Sequence, residues 1–451
     1  MQNQQRYHVG AGSFYVCQSK PLILQSFLGT CVGVALFDEE AQVGGLIHLL
    51  LPEPVSRTGA TQPEKYASTG FPLFLEAICN QGASKNRLKA FIAGGALVGP
   101  VKDTDLNLDI GGRTAEAVLQ YLKAEKIRVE KSETGGFFTC SMNLNMQTGQ
   151  CSIEPAPLDM DSTTGEIHLA SAGEIDQAME NIQPIPQVAL KILRLIDNEE
   201  YEVKTLAEEI RKDQVISART IKLCNSVAFA GSSKVESLDQ ALVLIGIRLL
   251  VKLVISVSVN ELFGHSDLGY SLCKGGLYHH AVGTAIIAEK LADYTGSAEP
   301  GLAYTAGLLH DIGKVVLDQS IVSAYPLFYR KLFEEEENFS DAENEILGLD
   351  HAQVGNKLAR KWLFPESLCD IIRHHHRPEK ATRYLELAHV VYLADLLMSR
   401  FHSGLELERL DTETLASRMA TIGLSIDKFA DIVDLIPIGV FESSPEMAIL
   451  G

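Results

Sequence analysis

The sequence predicts a multidomain protein, with an N-terminal α/β domain followed by an all-α domain. Its 451 residues are about three times the length of a typical domain. Short β-type runs alternate with helical stretches up to about residue 154, whereas helical periods dominate from about residue 176. The segment between them is rich in Pro, Asp, Ser, Thr and Gly, as is typical of a boundary. We therefore predict domains at 1–155 and 179–400, a linker at 156–178 and a helical extension at 401–451.

Each predicted element rests on a hydrophobic period. In the N-terminal half, five runs predict strands: FYVCQ, CVGVALF, GGLIHLLL, LKAFIAGGA and FTCSMNL. Two longer runs predict helices, KYASTGFPLFLEAICNQG and GGRTAEAVLQYLKAEKI. In the C-terminal half, four helical runs stand out: VALKILRLIDN, VKTLAEEIRK, LDQALVLIGIRLLVKLVISVSV and HHAVGTAIIAEKLADYTG.

Composition excludes several classes of protein. The formal charge of −19, without a Lys/Arg cluster, disfavours nucleic acid as a main partner. No apolar run reaches the ~18 residues of a membrane span, and MQNQQRYHVG lacks the form of a signal peptide. The eight cysteines show no CxxC spacing, so no disulfide framework or zinc knuckle is expected. We predict a cytoplasmic protein without membrane insertion.

The stretch LGTCVGVALFDEEAQVGGLIHLLLP predicts a β-hairpin that brings a cysteine and a histidine together. Two β-rich runs flank the acidic segment DEEA, which suits an exposed turn. If the turn is centred between Glu39 and Glu40, Cys31 lies directly opposite His48 on one face. A histidine that takes the thiol proton converts cysteine into a nucleophile. The alternative is a buried thiol and a satisfied core histidine.

The first 155 residues resemble the CheD family of chemoreceptor glutamine deamidases. The motifs LGTCVG, GGLIHLLLP, FIAGGALV, LNLDIGGRTAEAVLQYLKAEKIRV and NMQTGQCSI occur in the family order. The resemblance implies a layered α/β sandwich. It also implies that the Cys31 thiolate attacks a glutamine side-chain carbonyl, with His48 as general base and then acid, and no cofactor. Its implied partners are chemoreceptors (methyl-accepting chemotaxis proteins) and a CheC-like regulator.

The third catalytic position of the family is a threonine a few residues before the cysteine. Ser26 is the nearest hydroxyl here, whereas Gln25 fills that place in another register. We assign Ser26 as the third catalytic candidate. The family's Gly-Arg run near the end of the domain is replaced by TGGFFTCSMN, which lacks the arginine.

Histidine and aspartate spacing in the second half predicts a metal site. The pair His310 and Asp311 lies in GLLHDIGK, His280 begins a helical run about 30 residues earlier, and Asp395 lies in YLADLL. Histidines also follow in LDHAQVG and IIRHHHRP. Histidine and aspartate side chains from several helices can together complete a divalent-metal shell. The alternative is that these side chains only hydrogen-bond to one another within a helical core.

Residues from about 180 to 400 resemble the HDOD family, a divergent branch of the HD metal-dependent phosphohydrolases. NIQPIPQVALKILRLIDN, VKTLAEEIRKDQVISARTIKLCNSVAF and SLDQALVLIG match its opening blocks. The resemblance implies a divalent ion such as Fe, Mn or Mg. It assigns a first ion to His280, His310, Asp311 and Asp395, a second to His351, His375 and His376, and a phosphate contact to Lys314.

Two departures affect this assignment. Three consecutive histidines, 374 to 376, leave open which two are ligands. The Gly-Tyr-Pro loop of the related cyclic-di-GMP phosphodiesterases is replaced by RPEKATRY, which disfavours that substrate.

The leading hypothesis is a chemotaxis protein in which a CheD-like deamidase is coupled to an HDOD regulatory domain. One alternative is a two-module scaffold without turnover. Another is an HD-type phosphohydrolase or phosphodiesterase with a CheD-like sensor domain.

Overall fold

In the computed structural model, the chain divides into two compact units, one mainly of residues up to Thr164 and the other mainly of residues from Gly165 onward. The residues described are 5–54, 62–95, 110–134, 140–155, 169–197, 203–227, 235–263, 270, 276–329, 331, 338–401, 412–437 and 440. Most of the predicted linker lies outside these residues.

The first unit contains nine strands and two helices among its described residues. The strands are β1 Gln5–His8, β2 Ser13–Gln18, β3 Leu22–Leu28, β4 Val32–Asp38, β5 Val43–Leu49, β6 Lys89–Gly94, β7 Arg128–Thr134, β8 Cys140–Asn145 and β9 Cys151–Pro155. The helices are α1 Ala67–Asn80 and α2 Ile110–Ala124.

The strands form two sheets that share a core. One sheet has the order β1-β3-β8-β9 and the other the order β2-β5-β4-β6-β7. Alternate residues of the central strand β4 face opposite ways, so that Val34 packs with the helices while Phe37 packs with the first sheet. The molecule's first unit therefore has three layers: the helices, the β2-β5-β4-β6-β7 sheet and the β1-β3-β8-β9 sheet. This arrangement confirms the predicted α/β class.

The β4–β5 hairpin has a different register from the predicted one. Gly33, and not Cys31, is the residue opposite His48. The turn is displaced because Asp38 remains in the strand, where its carboxylate accepts hydrogen bonds from the N–H groups of Glu40 and Ala41 at 3.0 and 3.1 Å. Since the shift is by an even number of residues, it does not exchange the two faces of the hairpin.

The second unit is helical throughout its described elements, as predicted. Its helices are α3 Ala172–Asn181, α4 Gln187–Asp197, α5 Val203–Arg211, α6 Gln214–Val227, α7 Leu238–Phe263, α8 Gly276–Thr295, α9 Pro300–Leu309, α10 Ile312–Tyr329, α11 Phe339–Leu347, α12 His351–Lys361, α13 Glu366–His374, α14 Leu385–Phe401, α15 Thr412–Thr421 and α16 Phe429–Asp434. Helix α3 begins inside the segment predicted as a linker, because Ser171 and Glu174 form a capping box.

One described helical stretch, Leu238–Asn260, is long and apolar enough to cross a membrane by length and composition, which the sequence patterns did not predict. The backbone at Gly246 is non-helical, with φ 76° and ψ 168°, so α7 is two helices joined at a kink. Its second half is largely buried, and Lys252 there forms an ion pair with Glu289 of α8. A buried core helix of this kind meets the same criteria, so the stretch is weak support for a membrane span.

Candidate active site and candidate metal centre

Cys31 immediately precedes β4 and is buried. Its carbonyl oxygen accepts a hydrogen bond from the N–H of Gly95 at 2.8 Å. A Cβ atom at Gly94 would lie 2.1 Å from the same oxygen. Gly94 and Gly95 have φ values of +94° and +68°, so the glycine pair lets the end of β6 approach the backbone of Cys31 closely.

His48 lies on β5 with its ring held by a backbone carbonyl. Its Nδ1 is 3.3 Å from the carbonyl oxygen of Val9. Because a carbonyl can only accept, Nδ1 carries the proton and Nε2 keeps its lone pair. Nε2 is buried and has no hydrogen-bond partner among the described residues. This is the tautomer that a general base requires.

Ser26 lies on β3 and is completely buried. Its Oγ donates a hydrogen bond to the carbonyl oxygen of Val9 at 2.7 Å, so Ser26 and His48 share one acceptor. Ser26 can therefore influence the imidazole through the Val9 carbonyl.

Burial keeps both reactive groups neutral. It raises the pKa of the Cys31 thiol well above its usual range. Burial, followed by the charge of His8, lowers the pKa of His48 to about 3. At neutral pH, Cys31 is therefore a thiol and His48 a neutral imidazole.

The seven predicted metal-site residues of the second unit come together in two groups. Within each group, the possible ligand atoms all lie within 4.8 Å of one another. Helix ends supply several of these residues, since His310 follows α9, His351 begins α12, and His375 and His376 follow α13. Helices α8 and α14 supply His280 and Asp395.

The first group consists of His280, His310 and Asp395. Asp395 Oδ1 is 3.0 Å from His280 Nε2 and 3.6 Å from His310 Nε2. Oδ2 of Asp311 lies 3.2 Å from His310 Nε2 and 3.5 Å from His280 Nε2. Asp311 therefore faces this group with one of its two oxygens.

The second group consists of Asp311, His351, His375 and His376. Oδ1 of Asp311 lies 3.4 Å from His351 Nε2 and 3.5 Å from His375 Nε2. The Nε2 atoms of His351 and His376 are 2.8 Å apart. The two oxygens of Asp311 thus face different groups, which is the arrangement of a bridging carboxylate.

Three rings point Nε2 inward because their Nδ1 atoms bind acceptors outside the centre. Nδ1 of His310 is 2.7 Å from the carbonyl oxygen of Gly307, and Nδ1 of His375 is 3.0 Å from that of Ile372. Nδ1 of His351 is 2.7 Å from a carboxylate oxygen of Glu343. Outer hydrogen bonds of this kind orient histidine ligands of metals.

His374, the remaining histidine of the run, belongs to neither group. Its Nε2 lies 3.7 Å from Oδ1 of Asp370, near the end of α13. Among the three consecutive histidines, His375 and His376 are therefore the two that face Asp311.

Strong charges compete inside this buried centre. Although burial favours a neutral ring, the charges of Asp311 and Asp395 raise the pKa of His310 to about 10. Burial opposes ionisation of Asp311, but His310 and Lys314 hold its pKa well below its usual range. Lys314 Nζ is 2.6 Å from Asp311 Oδ2. In contrast, burial lowers the pKa of His376 well below its usual range.

The centre fits divalent ions. Oδ1 of Asp311 and Nε2 of His310 are buried but make no hydrogen bond with other described residues. The close approach of the His351 and His376 Nε2 atoms leaves lone pairs facing one another unless a proton or cation lies between them. Nitrogen and carboxylate donors together suit ions such as Fe, Mn or Zn.

Two residues of these sites are missing from the sequence predictions. Val9 acts through its backbone, so its side-chain identity carries no signal. Glu343 lies eight positions before His351 on a different helix, and neither glutamate of ENEILGLDH forms a recognisable motif with that histidine.

Comparisons with known proteins agree with this architecture. The family model for the HDOD domain matches residues 182–378, and the model for CheD chemotactic sensory transduction matches residues 50–155. The latter match begins after Cys31 and His48.

A curated relative from Desulforamulus reducens, named a probable chemoreceptor glutamine deamidase CheD, is 36% identical over 145 residues. These cover 32% of this chain and 87% of the relative. A relative of the same name from Clostridium novyi is 32% identical, covering 34% of this chain and 93% of the relative.

A solved structure from Marinobacter aquaeolei VT8, described as that of a signal transduction protein, has a TM-score of 0.50 at 16% identity, covering 81% of this chain and 90% of its own. From these matches, the chain belongs to the CheD family through its N-terminal part and joins that domain to an HDOD domain.

Proposed function

We propose that the first unit deamidates glutamine side chains of chemoreceptors to glutamate. The observation that carries the proposal is the buried Nε2 of His48, which has no hydrogen-bond partner among the described residues, on a ring held through Nδ1 by the Val9 carbonyl in the same unit as Cys31. Curated relatives are named chemoreceptor glutamine deamidases, which supports the same substrate. A CheC-like regulator and a cytoplasmic location belong to this proposal.

The neutral pair defines the order of proton transfers. His48 Nε2 takes the Cys31 proton as sulfur attacks the glutamine Cδ, forming a tetrahedral oxyanion. The imidazolium then gives this proton to the leaving nitrogen, so ammonia departs and a thioester remains. Water, deprotonated by His48, attacks the thioester, and the thiol is restored as glutamate leaves.

Ser26 is proposed as a positioning residue. Its hydroxyl and the His48 ring bind the same Val9 oxygen, so loss of the hydroxyl would loosen the support of the ring. The Ser26→Ala variant is expected to retain activity at a rate about 10- to 100-fold lower, because misplacement of a catalytic group has costs of this order.

The test is ammonia release from purified chemoreceptor by the full chain. Cys31→Ala should abolish release, whereas Cys79→Ala, which changes a partly buried cysteine on α1, should preserve it. Equal, background release by wild type and Cys31→Ala would favour a scaffold without turnover.

We also propose that the second unit binds two divalent ions, for example Fe, Mn or Mg, and regulates the deamidase. One ion would be held by His280, His310 and Asp395, and another by His351, His375 and His376, with Asp311 between them. When bound, such a pair activates water and polarises phosphoryl oxygens. Lys314 would place a cation beside a phosphate, which supports phosphohydrolysis as a second activity.

Metal content tests this centre. The purified chain is expected to carry bound metal, and the double variant His310→Ala/Asp311→Ala is expected to lose it. Absence of metal from both, after incubation with Mn²⁺ and removal of excess ion, would refute the metal centre and with it the phosphohydrolase activity.

A further inference from the structure

The two metal groups differ in the negative charge that they contain. The first group has its own carboxylate, Asp395, in addition to the shared Asp311. Among the described residues, the second group has three imidazole rings and, as its carboxylate, the shared Asp311. Neutral ligands leave the charge of a divalent ion uncompensated in a buried site, which is costly.

Glu343 supplies a carboxylate next to the second group. It lies on α11 and is completely buried. One of its oxygens is 2.7 Å from His351 Nδ1 and also accepts the backbone N–H of His351 at 3.0 Å. Its other oxygen accepts the hydroxyl of Tyr270. The carboxylate is thus fixed by donors on both oxygens.

This contact distinguishes His351 from the other oriented rings. His310 and His375 bind neutral backbone carbonyls through Nδ1, whereas His351 binds a charged group. A carboxylate at Nδ1 fixes the tautomer, increases the basicity of Nε2 and adds a negative charge close to the ion. Glu343 adds this charge next to the second group, whose carboxylate among the described residues is the shared Asp311.

We propose that Glu343 is a positioning residue that enables the second group to hold its ion, so that the two ions are bound by separable determinants. This inference rests on the proposed two-ion centre. It assigns Glu343 no contact with metal or substrate. Its effect passes through the ring of His351, and it concerns the second ion only.

The experiment is titration of the metal-free full chain with Mn²⁺, with calorimetry for affinities and elemental analysis for ions per chain. Wild type is expected to bind two ions. Glu343→Gln keeps an acceptor for Nδ1 but removes the charge. It should weaken binding of the second ion about 10- to 100-fold and leave the affinity for the first ion unchanged. His351→Ala provides the reference for loss of the second ion.

Glu345→Gln is the matched control. Glu345 lies on the same helix, is half exposed and pairs with Lys331, whose side chain is largely buried. This variant should bind both ions as wild type does. Electron paramagnetic resonance gives an independent readout, because an isolated Mn²⁺ has a resolved hyperfine spectrum whereas two bridged ions are exchange-coupled.

The outcomes separate the two proposals. Wild type that binds no ion refutes the metal centre itself. Wild type and Glu343→Gln with two ions of equal affinity leave the centre intact and overturn the role of Glu343. If Glu343→Gln loses its helical circular dichroism, Glu343→Asp takes its place, since it keeps the charge but withdraws the carboxylate from His351 Nδ1 by one methylene group. Unchanged affinities in that variant would then overturn the inference.

Discussion

At the scale of single residues, one backbone oxygen organises the candidate deamidase site. The carbonyl of Val9 fixes the tautomer of His48 and accepts the hydroxyl of Ser26. Burial then decides the charge state, because a charged form of either Cys31 or His48 would have to be desolvated. Both side chains are therefore neutral in the folded chain.

This charge state predicts an unusual pH profile for deamidation. Protonated His48 is inactive as a base, and since the pKa of His48 is lowered to about 3, the active form persists below the usual histidine range. We expect kcat/KM to show no fall through the usual histidine pKa of about 6.5. Ammonia release should be measured at constant ionic strength with a receptor that remains folded over the range. A fall in kcat/KM towards acid pH that is centred on the usual histidine pKa, in both wild type and Ser26→Ala, would contradict this prediction.

A second prediction at this scale concerns Gly94. An alanine there would have to adopt φ +94° and would place Cβ 2.1 Å from the oxygen of Cys31. Gly82→Ala is the control, because its φ is +107° but no atom lies within 4 Å of the added Cβ. Gly82→Ala should cost only the backbone strain, about 1–2 kcal/mol. Gly94→Ala should cost more and should also abolish ammonia release. Equal thermal stability and activity of the two variants would contradict the close approach.

At the scale of elements, the β4–β5 hairpin is fixed by a charge inside its turn. The Asp38 side chain is fully buried and receives the N–H groups of Glu40, Ala41 and Ser84 as well as two nitrogens of Arg87. Although burial opposes ionisation, the hydrogen bonds from Arg87, Ser84 and Ala41 lower the pKa of Asp38 to about 2. These contacts connect the turn to the segment before β6.

The lowered pKa predicts how the stability of this hairpin depends on pH. A carboxyl whose pKa is lower in the folded state stabilises it above the unfolded value, near 3.9, and loses this contribution as pH falls through 2. Asp38→Asn should therefore reduce protection of the β4 and β5 amides at pH 7, by about 2 kcal/mol. The loss relative to wild type should shrink towards pH 3.

Hydrogen exchange with mass spectrometry measures this protection in the full chain. Glu39→Gln is the control, since Glu39 lies in the same turn but is exposed and pairs only with the surface residue Lys89 among the described contacts. A pH-independent difference between Asp38→Asn and wild type would contradict the linkage.

The elements also show what sequence patterns can predict. The five predicted strands and both N-terminal helices are present, because each has a clear hydrophobic period. Strands β1 and β7 escaped prediction since they are exposed or charged along their length. Strand β3 was missed because LILQSFL runs into the apolar β4 without a polar turn. The predicted register of the β4–β5 hairpin was wrong because Asp38, an apparent turn residue, belongs to strand β4. Its carboxylate accepts its hydrogen bonds from that position.

For the candidate sites, sequence patterns identified residues only where side chains form a motif. Motif order selected seven candidate metal-site residues that the fold brings together from five helical regions. It could not identify the groups that orient them, which are backbone carbonyls three positions before His310 and His375 and a glutamate eight positions before His351. A backbone carbonyl carries no side-chain signal, and Glu343 forms no motif with His351.

At the scale of the whole molecule, the named residues of each candidate site lie within one unit. Cys31, His48, Ser26 and the Val9 carbonyl all belong to the first unit, and all seven metal-site residues belong to the second. We expect any influence of the HDOD domain on deamidation to modulate these residues rather than to supply one of them.

Because the two sets of residues lie in different units, we predict that deamidation and metal binding can be lost independently. Cys31→Ala should abolish ammonia release and leave the number of bound Mn²⁺ ions unchanged, because it removes only the nucleophile. His310→Ala/Asp311→Ala should lose the ions yet keep measurable ammonia release, since no proton transfer at Cys31 needs those residues. The rate retained by this double variant, relative to wild type with and without Mn²⁺, measures the regulation that we propose. Suppose that ammonia release by the double variant fell to the background of Cys31→Ala while its first unit kept wild-type amide protection. The deamidase site would then depend on the second unit for its chemistry. The assignment of a self-contained site to Cys31 and His48 would be wrong.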